Sequence, residues 1–270
     1  MDLLPQVSLY DKTDEYYETL KKNIHDLNEF KPTINKIIAE YLLVGGYPEY
    51  FECSNIFKWQ KRLVDDIVGR GLYRDIVSIY SIKNPDALEK LMYFIASNSG
   101  QEFAYTTIAQ TLGVDINTVS SYVSYLAQAF LIGVSNNYTG NVGKSIRKNK
   151  KLYILDNGIR NALMRVEDLE PSDIGMLVEN ECLRHAKTYS DINNYIVYFW
   201  RDNGKEVDVV IDKKKDILPI EIKYRSEVKA NQLKGLDKFC KDYNVDKRIV
   251  ITKDLLDMSE NTIYIPFWLI

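Results

Sequence analysis

Apolar residues recur at helical spacing through the first half of the chain. Between residues 14 and 43 they form two stripes, which predict two packed helices that meet at Pro32. Gly45-Gly46-Tyr47-Pro48 ends the second helix, because paired glycines followed by proline stop helical hydrogen bonding. Asp115 is suited to be the N-cap of the helix predicted at 116–129. The same spacing predicts further helices over 57–68, 86–98, 105–112 and 116–129.

After residue 129 the pattern includes short apolar runs and alternation, which are typical of strands. Strands are predicted at 130–135, 151–155, 195–201, 206–211, 217–223 and 247–252, with helices at 173–188 and 229–242. The fold class is therefore α+β or mixed. Three helices followed by two strands is the order of a winged helix-turn-helix. We predict a helical N-terminal segment over 1–84, a winged helix domain over 85–158 and an α/β domain over 159–270.

Composition and charge narrow the class of protein. With 46% hydrophobic and 27% charged residues and no apolar run approaching the ~18 residues of a membrane span, we expect no membrane contact. The start of the chain lacks the features of a secretory signal, which predicts a cytoplasmic protein. Cys53, Cys182 and Cys240, with only His25 and His185, show no zinc-ligand spacing. Because the net charge is −3, any surface that attracts nucleic acid must be local.

Two alternating segments carry the candidate chemistry. Asp208 lies in the segment predicted as the strand 206–211, and Glu221 and Lys223 lie in the segment predicted as the strand 217–223. The charged run 212–216 predicts a turn that brings the two strands side by side. Because residues two apart in a strand share a face, Glu221 and Lys223 are expected to point the same way.

These residue types suit a magnesium or manganese site. Asp208 and Glu221 would supply carboxylate ligands, and the backbone carbonyl of Ile222 would supply a third oxygen. Lys223 would orient or help to deprotonate the attacking water and stabilise charge at a phosphate. The alternative is that Glu221 and Lys223 form the ordinary polar face of an exposed strand.

The set of residues resembles the PD-(D/E)XK nuclease superfamily, in which an acidic residue on a first helix precedes an aspartate on a strand and Glu-X-Lys on the next strand. Glu179, Asp208, Glu221 and Lys223 match those positions. The resemblance implies a restriction-endonuclease-like α/β domain, a Mg-dependent endonuclease that hydrolyses phosphodiester bonds, and Glu179 as an accessory catalytic and metal-binding carboxylate. Gln232, on the following helix, is expected either to face the same site or to be an ordinary surface residue.

Nearly the whole chain resembles the C-terminal region of prokaryotic AAA-type ATPases, a domain of unknown function that joins a winged helix to a nuclease-like fold. The motifs at 40–49 and 177–181 and the two candidate strands carry this resemblance. Such proteins begin with a P-loop ATPase domain, which we do not find here. Gly143-Lys144-Ser145 is the only Walker-like fragment, and Tyr138 stands where the motif requires glycine. We therefore expect no ATP site in this chain and interpret residues 143–145 as a wing tip.

The expected partner is nucleic acid, in particular DNA. In the predicted recognition helix, Asn117, Thr118 and Ser121 offer polar groups, but the segment holds no Lys or Arg. The wing provides the basic residues, which crowd eight positions: Lys144, Arg147, Lys148, Lys150 and Lys151. They fit either contacts to phosphate, which would be salt-sensitive and tolerant of sequence, or a solvated loop.

Two further interpretations stay open at this point. The chain fits a non-catalytic regulatory module that binds DNA, an ATPase subunit or a second copy of itself. It also fits the remainder of an ATPase whose motor domain is missing here.

Overall fold

The computed structural model describes residues 3–53 and 55–270 and shows a mixed α/β protein. The chain forms two compact units. The C-terminal unit combines the chain up to Ala39 with residues 138–141 and 185–270, and the central unit comprises 40–137 and 142–184. The predicted domain boundaries after residues 84 and 158 stay predictions. In the described part of the chain, no helix combines the length and apolar character that a membrane span requires.

The first helix, α1, is continuous from Thr13 to Val44. The prediction of two helices that meet at Pro32 is therefore wrong. Proline removes one helical hydrogen bond, and its ring crowds the preceding turn. Pro32 is exposed, and buried residues such as Leu20 and Leu42 lie on either side of it in the helix. Burial of this apolar stripe outweighs the local cost of the proline.

The central unit is mainly helical. Its helices are α2 (Ile56–Val64), α3 (Val77–Ile79), α4 (Pro85–Ser97), α5 (Tyr105–Leu112), α6 (Ile116–Gln128), α7 (Val142–Arg147), α8 (Asn157–Met164) and the first part of α9 (Pro171–Asn193). A π-helical segment, Asp65–Ile76, lies between α2 and α3, and a 3-10 helix spans Pro48–Glu52. The Asp115 carboxylate accepts the Thr118 N–H at 2.9 Å, which confirms the predicted cap of α6.

A small antiparallel sheet completes the central unit. Its strands are β1 (Gln101–Phe103), β2 (Ile132–Asn137) and β3 (Lys150–Ile154), in the order β1-β3-β2. Leu152 and Ile154 of β3 join the apolar core with residues of α4, α5 and α6. Residues 143–145 lie between β2 and β3, as predicted, but they form part of α7 instead of a wing loop. Val142 and Ile146 stand one turn apart in this helix, a repeat too short to predict from the sequence.

The C-terminal unit contains a mixed sheet. Its strands are β4 (Ile196–Asp202), β5 (Lys205–Asp212), β6 (Ile217–Lys223), β7 (Arg248–Thr252), β8 (Asp257–Ser259) and β9 (Thr262–Pro266), in the order β4-β5-β6-β7-β9-β8. β5 and β6 are antiparallel, which confirms the predicted turn, whereas β6, β7 and β9 run parallel. Helix α10 (Lys234–Tyr243) packs Phe239 against Trp200 and Val210, and 3-10 helices span Ala230–Gln232 and Phe267–Leu269.

A β-bulge interrupts β5 beside the candidate site. Tyr198 of β4 lies opposite Val210, whereas Trp200 lies opposite Val207. Two residues of β5, Asp208 and Val209, therefore share the space that a regular ladder gives to one. A bulge of this kind redirects a side chain and locally ends strand pairing, and here it falls on the predicted aspartate.

Candidate functional site

Asp208, Glu221 and Lys223 come together in the C-terminal unit, as the sequence predicts. The Lys223 Nζ atom forms an ion pair with Glu221 Oε1 and lies 3.9 Å from Asp208 Oδ2. Asp208 is 9% exposed and Glu221 is 5% exposed. Charges at such buried positions interact more strongly than charges in water. Both carboxylates are therefore close enough to share one cation, which in this structure is the lysine ammonium.

A hydrogen bond between the strands positions Asp208. Its Oδ2 atom accepts the Ile222 N–H at 2.8 Å. The pairing of β5 with β6 begins at Val209 and Ile220, one residue beyond Asp208. The aspartate side chain thus accepts a hydrogen bond between the strands just beyond the last regular pair of β5 and β6. Its carboxylate is held against the segment that carries Glu221 and Lys223.

The oxygen atoms around Lys223 fit a hard divalent cation. Besides the two carboxylates, the carbonyl oxygen of Ile222 lies 3.2 Å from Lys223 Nζ. Two carboxylates and a carbonyl are ligands that Mg²⁺ and Mn²⁺ accept, with water and substrate oxygens completing the set. Over residues 3–53 and 55–270, no group of three or more His, Cys, Asp and Glu side chains is arranged to hold a metal ion. The donor set described here therefore contains two carboxylates.

Glu179 lies on α9 in the central unit. Its Oε1 atom accepts a hydrogen bond from Lys151 Nζ at 3.1 Å. Lys151 is buried, with 3% of its side chain exposed, so it does not belong to the exposed part of the basic run. The role of Glu179 as a metal ligand stays a prediction, and the structure gives it a buried ion-pair partner.

The remaining basic residues lie on α7 and just after it. Lys144, Arg147 and Lys148 are exposed. Lys150 is half-buried, and its Nζ atom donates to the carbonyls of Ile146 at 2.7 Å and Lys148 at 3.1 Å. Burial lowers the pKa of Lys150. The exposed part of the basic run 144–151 thus consists of Lys144, Arg147 and Lys148, with Lys150 at its edge.

The predicted recognition residues differ in their surroundings. Asn117 is exposed, whereas Ser121 is half-buried. The hydroxyl of Thr118 donates to the capping Asp115 carboxylate at 2.6 Å. Thr118 therefore serves the cap of α6 in this structure.

Gln232 and Trp200 have structural surroundings of their own. The Gln232 side-chain oxygen accepts the Lys229 N–H at 2.9 Å, so this residue closes a 3-10 turn. Trp200 is buried and belongs to the core under α10.

A polar cluster in the central unit was missed by the sequence analysis. It comprises Tyr41, Glu181, Arg184 and Asp156. Arg184 pairs with Glu181 and donates to the Tyr41 hydroxyl at 3.0 Å, while Asp156 accepts the Gly46 N–H at 2.8 Å. Burial raises the pKa of Asp156, and burial together with Glu181 raises the pKa of Tyr41 to about 12. Tyr41 and Glu181 lie in the motifs at 40–49 and 177–181, but no local pattern predicts the cluster, because its residues are far apart in the sequence.

Asparagine side chains form hydrogen bonds to or from the segments 40–49 and 177–181. Asn180 donates to the Ile154 carbonyl at 2.7 Å and to Asn157 Oδ1 at 2.9 Å, and Asn161 donates to the Leu42 carbonyl at 2.9 Å. Buried polar groups need such partners. These asparagines therefore connect the segments 40–49 and 177–181 to α8 and β3.

The chain is similar to several uncharacterized proteins of bacteria and archaea. It is 23% identical to one from Haemophilus influenzae over 88% of this chain and 58% of the relative. It is 23% identical to MJ1637 of Methanocaldococcus jannaschii over 96% of this chain and 58% of the relative, and 25% identical to MJ1544 over 88% and 56%. The chain thus spans less than two thirds of these relatives. No solved structure matches it.

Two family models divide the chain in sequence order. Residues 174–270 match the model described as Domain of unknown function (DUF4143), and this stretch contains Asp208, Glu221 and Lys223. Residues 35–170 match the model described as Domain of unknown function (DUF8612), which covers half of the chain. The chain therefore belongs to the family described as Domain of unknown function (DUF8612), and its last third carries a DUF4143 match.

Proposed function

We propose that this is a cytoplasmic DNA-associated protein whose C-terminal unit hydrolyses phosphodiester bonds with Mg²⁺ or Mn²⁺. The observation that carries the proposal is the convergence of two buried carboxylates, Asp208 and Glu221, on a single cationic group. The bulge at Asp208 and its bond to the Ile222 N–H add support, because local ladder defects are common beside active sites. We propose a restriction-endonuclease-like fold for this unit.

Each residue of the site has a role in this proposal. Asp208, Glu221 and the Ile222 carbonyl would hold the cation, which would supply Lewis-acid chemistry at the phosphate and the attacking water. Lys223 would exchange its contact with Glu221 for one with the substrate. Its ammonium orients the attacking water and stabilises the negative charge that develops on the phosphate oxygens.

We also propose that α4, α5, α6 and the β1-β3-β2 sheet form a winged helix that contacts DNA phosphates. The exposed cations Lys144, Arg147 and Lys148 would make these contacts, with Lys150 beside them. Contacts to phosphate carry no sequence information and weaken as salt concentration rises. The helix α6 contributes the exposed Asn117 but no Lys or Arg.

A second candidate function is a non-catalytic module that docks on an AAA-type ATPase or on a second copy of the chain. DUF4143 is typically found in AAA-ATPase-associated proteins. The Lys223 ammonium between the carboxylates also fits a purely structural ion pair. In this interpretation the ATP site belongs to another chain or domain.

Cleavage of DNA distinguishes the two candidates. Labelled single-stranded, duplex and branched DNA are incubated with the protein, with and without Mg²⁺ or Mn²⁺. We expect metal-dependent cutting that falls about 100-fold or more in Glu221→Gln. Glu206→Gln is the matched control, because Glu206 lies in β5 but pairs with Arg201, and it should cut normally. No cutting of any substrate, or equal cutting by Glu221→Gln, would reject the nuclease in favour of the docking module.

A further inference from the structure

We propose that Arg225 and Lys253 form a binding site for the DNA phosphates that flank the bond to be cut. This inference rests on the proposed function, because it assigns a substrate contact next to the same site. It concerns the carboxyl ends of the parallel strands β6 and β7, where open α/β sheets bind their ligands. No motif in the sequence pointed to these two residues.

Backbone hydrogen bonds place the two residues beside Lys223. Lys223 at the end of β6 lies opposite Thr252 of β7. The Arg225 N–H donates to the Lys223 carbonyl at 2.6 Å, and the Lys253 N–H donates to the Arg225 carbonyl at 3.1 Å. Two backbone hydrogen bonds thus link three cationic residues at the carboxyl ends of β6 and β7.

The segment that carries these cations is held in place. The Tyr224 ring packs edge-on against Phe267, with 6.0 Å between the ring centroids. Ser226 donates to Asp254 Oδ2 at 2.8 Å. A fixed backbone reduces the entropy that would be lost when a ligand orders the loop.

The charges at this edge favour an anion. Arg225 and Lys253 are exposed, and neither forms an ion pair with another residue of the described chain. The neighbouring Asp254 carboxylate pairs with Lys31 at 2.6 Å and interacts more weakly with Lys253. Glu227 is the remaining carboxylate of the loop and is exposed. The two cations therefore remain available in a chain whose net charge is −3.

Phosphate is the anion that best fits this arrangement. A guanidinium group donates two parallel hydrogen bonds to a phosphate, and an ammonium group adds a point charge. Lys223 is expected to contact the scissile phosphate, so a strand that runs along this edge would present its next phosphates to Arg225 and Lys253. These are positioning residues and take no part in the chemical step.

The test is the salt dependence of DNA binding. Anisotropy of labelled duplex DNA is measured without divalent metal for the wild type and for Arg225→Gln/Lys253→Gln. Loss of two phosphate contacts should lower affinity and reduce the slope of log K against log salt by about 2. Lys214→Gln/Lys215→Gln is the control, because it removes the same charge from the turn at the opposite end of β6. Its slope should match the wild type.

The outcomes separate this inference from the nuclease proposal. Glu221→Gln should bind DNA with the wild-type slope or a slightly steeper one while failing to cut, so a loss of cutting alone leaves the inference standing. Equal slopes in the Arg225/Lys253 variant and the wild type would overturn it. Equal changes in both double variants would also overturn it, because they would show a general charge effect. Circular dichroism confirms that each variant is folded.

Discussion

Lys151 places a charged ammonium group in the interior of the central unit, next to Glu179. Removing the charge of one partner from a buried pair is costly, because the other partner stays desolvated. We expect Glu179→Gln to lower the free energy of unfolding by about 2 kcal/mol, less than for a fully enclosed pair, since Glu179 is partly exposed. Urea unfolding measures this change. Lys151→Met removes the buried charge and keeps the volume of the side chain. It should cost less, because the Glu179 carboxylate that remains is partly exposed to water. An unchanged stability in Glu179→Gln would contradict the account.

Asp156 links protonation to stability. Burial raises its pKa in the folded protein above the ordinary value of 3.8, against the opposing hydrogen bonds from Gly46 and Ile159. A carboxyl with a raised folded pKa contributes stability that is fully present below its unfolded pKa and is lost as pH rises through its folded pKa. The stability of the wild type relative to Asp156→Asn should therefore increase as pH falls from neutral toward about 4.

Urea unfolding of both proteins at a series of pH values tests this prediction. The comparison with Asp156→Asn cancels the contributions of titrating groups that do not interact with Asp156. A difference between the two proteins that stays constant with pH would show that Asp156 keeps its ordinary pKa on folding.

At the scale of elements, Pro32 tests the continuity of α1. A proline inside a helix costs about 3 kcal/mol relative to alanine, because it removes a backbone donor and crowds the preceding turn. Since Pro32 is exposed within one helix from Thr13 to Val44, Pro32→Ala should raise the free energy of unfolding by up to that amount. Thermal or urea unfolding measures the gain. A loss of stability would indicate that the chain needs a break at this position.

The elements that sequence predicts well carry a strong local signal. Helices α5 and α6 combine apolar periodicity with Gly113 between them and the Asp115 cap. Strand β6 has the predicted bounds because alternation and a charged turn define it. The pairing of Asp208 with Glu221 and Lys223 follows from the same alternation.

Other features depend on contacts that local patterns do not reveal. Helix α7 spans six residues, and β8 has three, which is too little for a period to emerge. The bulge at Asp208 depends on the register with β4. The bond between Lys151 and Glu179 joins positions on different elements, so a basic run in the sequence contained a buried member.

At the scale of the whole molecule, exposed positive charge is concentrated in two places. The net charge is −3, yet exposed cations gather on α7 and at the carboxyl ends of β6 and β7. DNA binding would therefore depend on these two surfaces, and salt should weaken it. The chain spans about 58% of the length of relatives such as MJ1637, so the partners of those longer proteins are not assigned to this chain.

Binding of Mn²⁺ tests the central claim, that Asp208 and Glu221 form a divalent cation site. Titration followed by electron paramagnetic resonance counts the bound ions without requiring DNA or cleavage. We expect one saturable site per chain, its loss in Asp208→Asn/Glu221→Gln, and binding at least as tight in Lys223→Met, where the competing ammonium is gone. Wild-type protein that binds no more Mn²⁺ than the double variant would contradict the account.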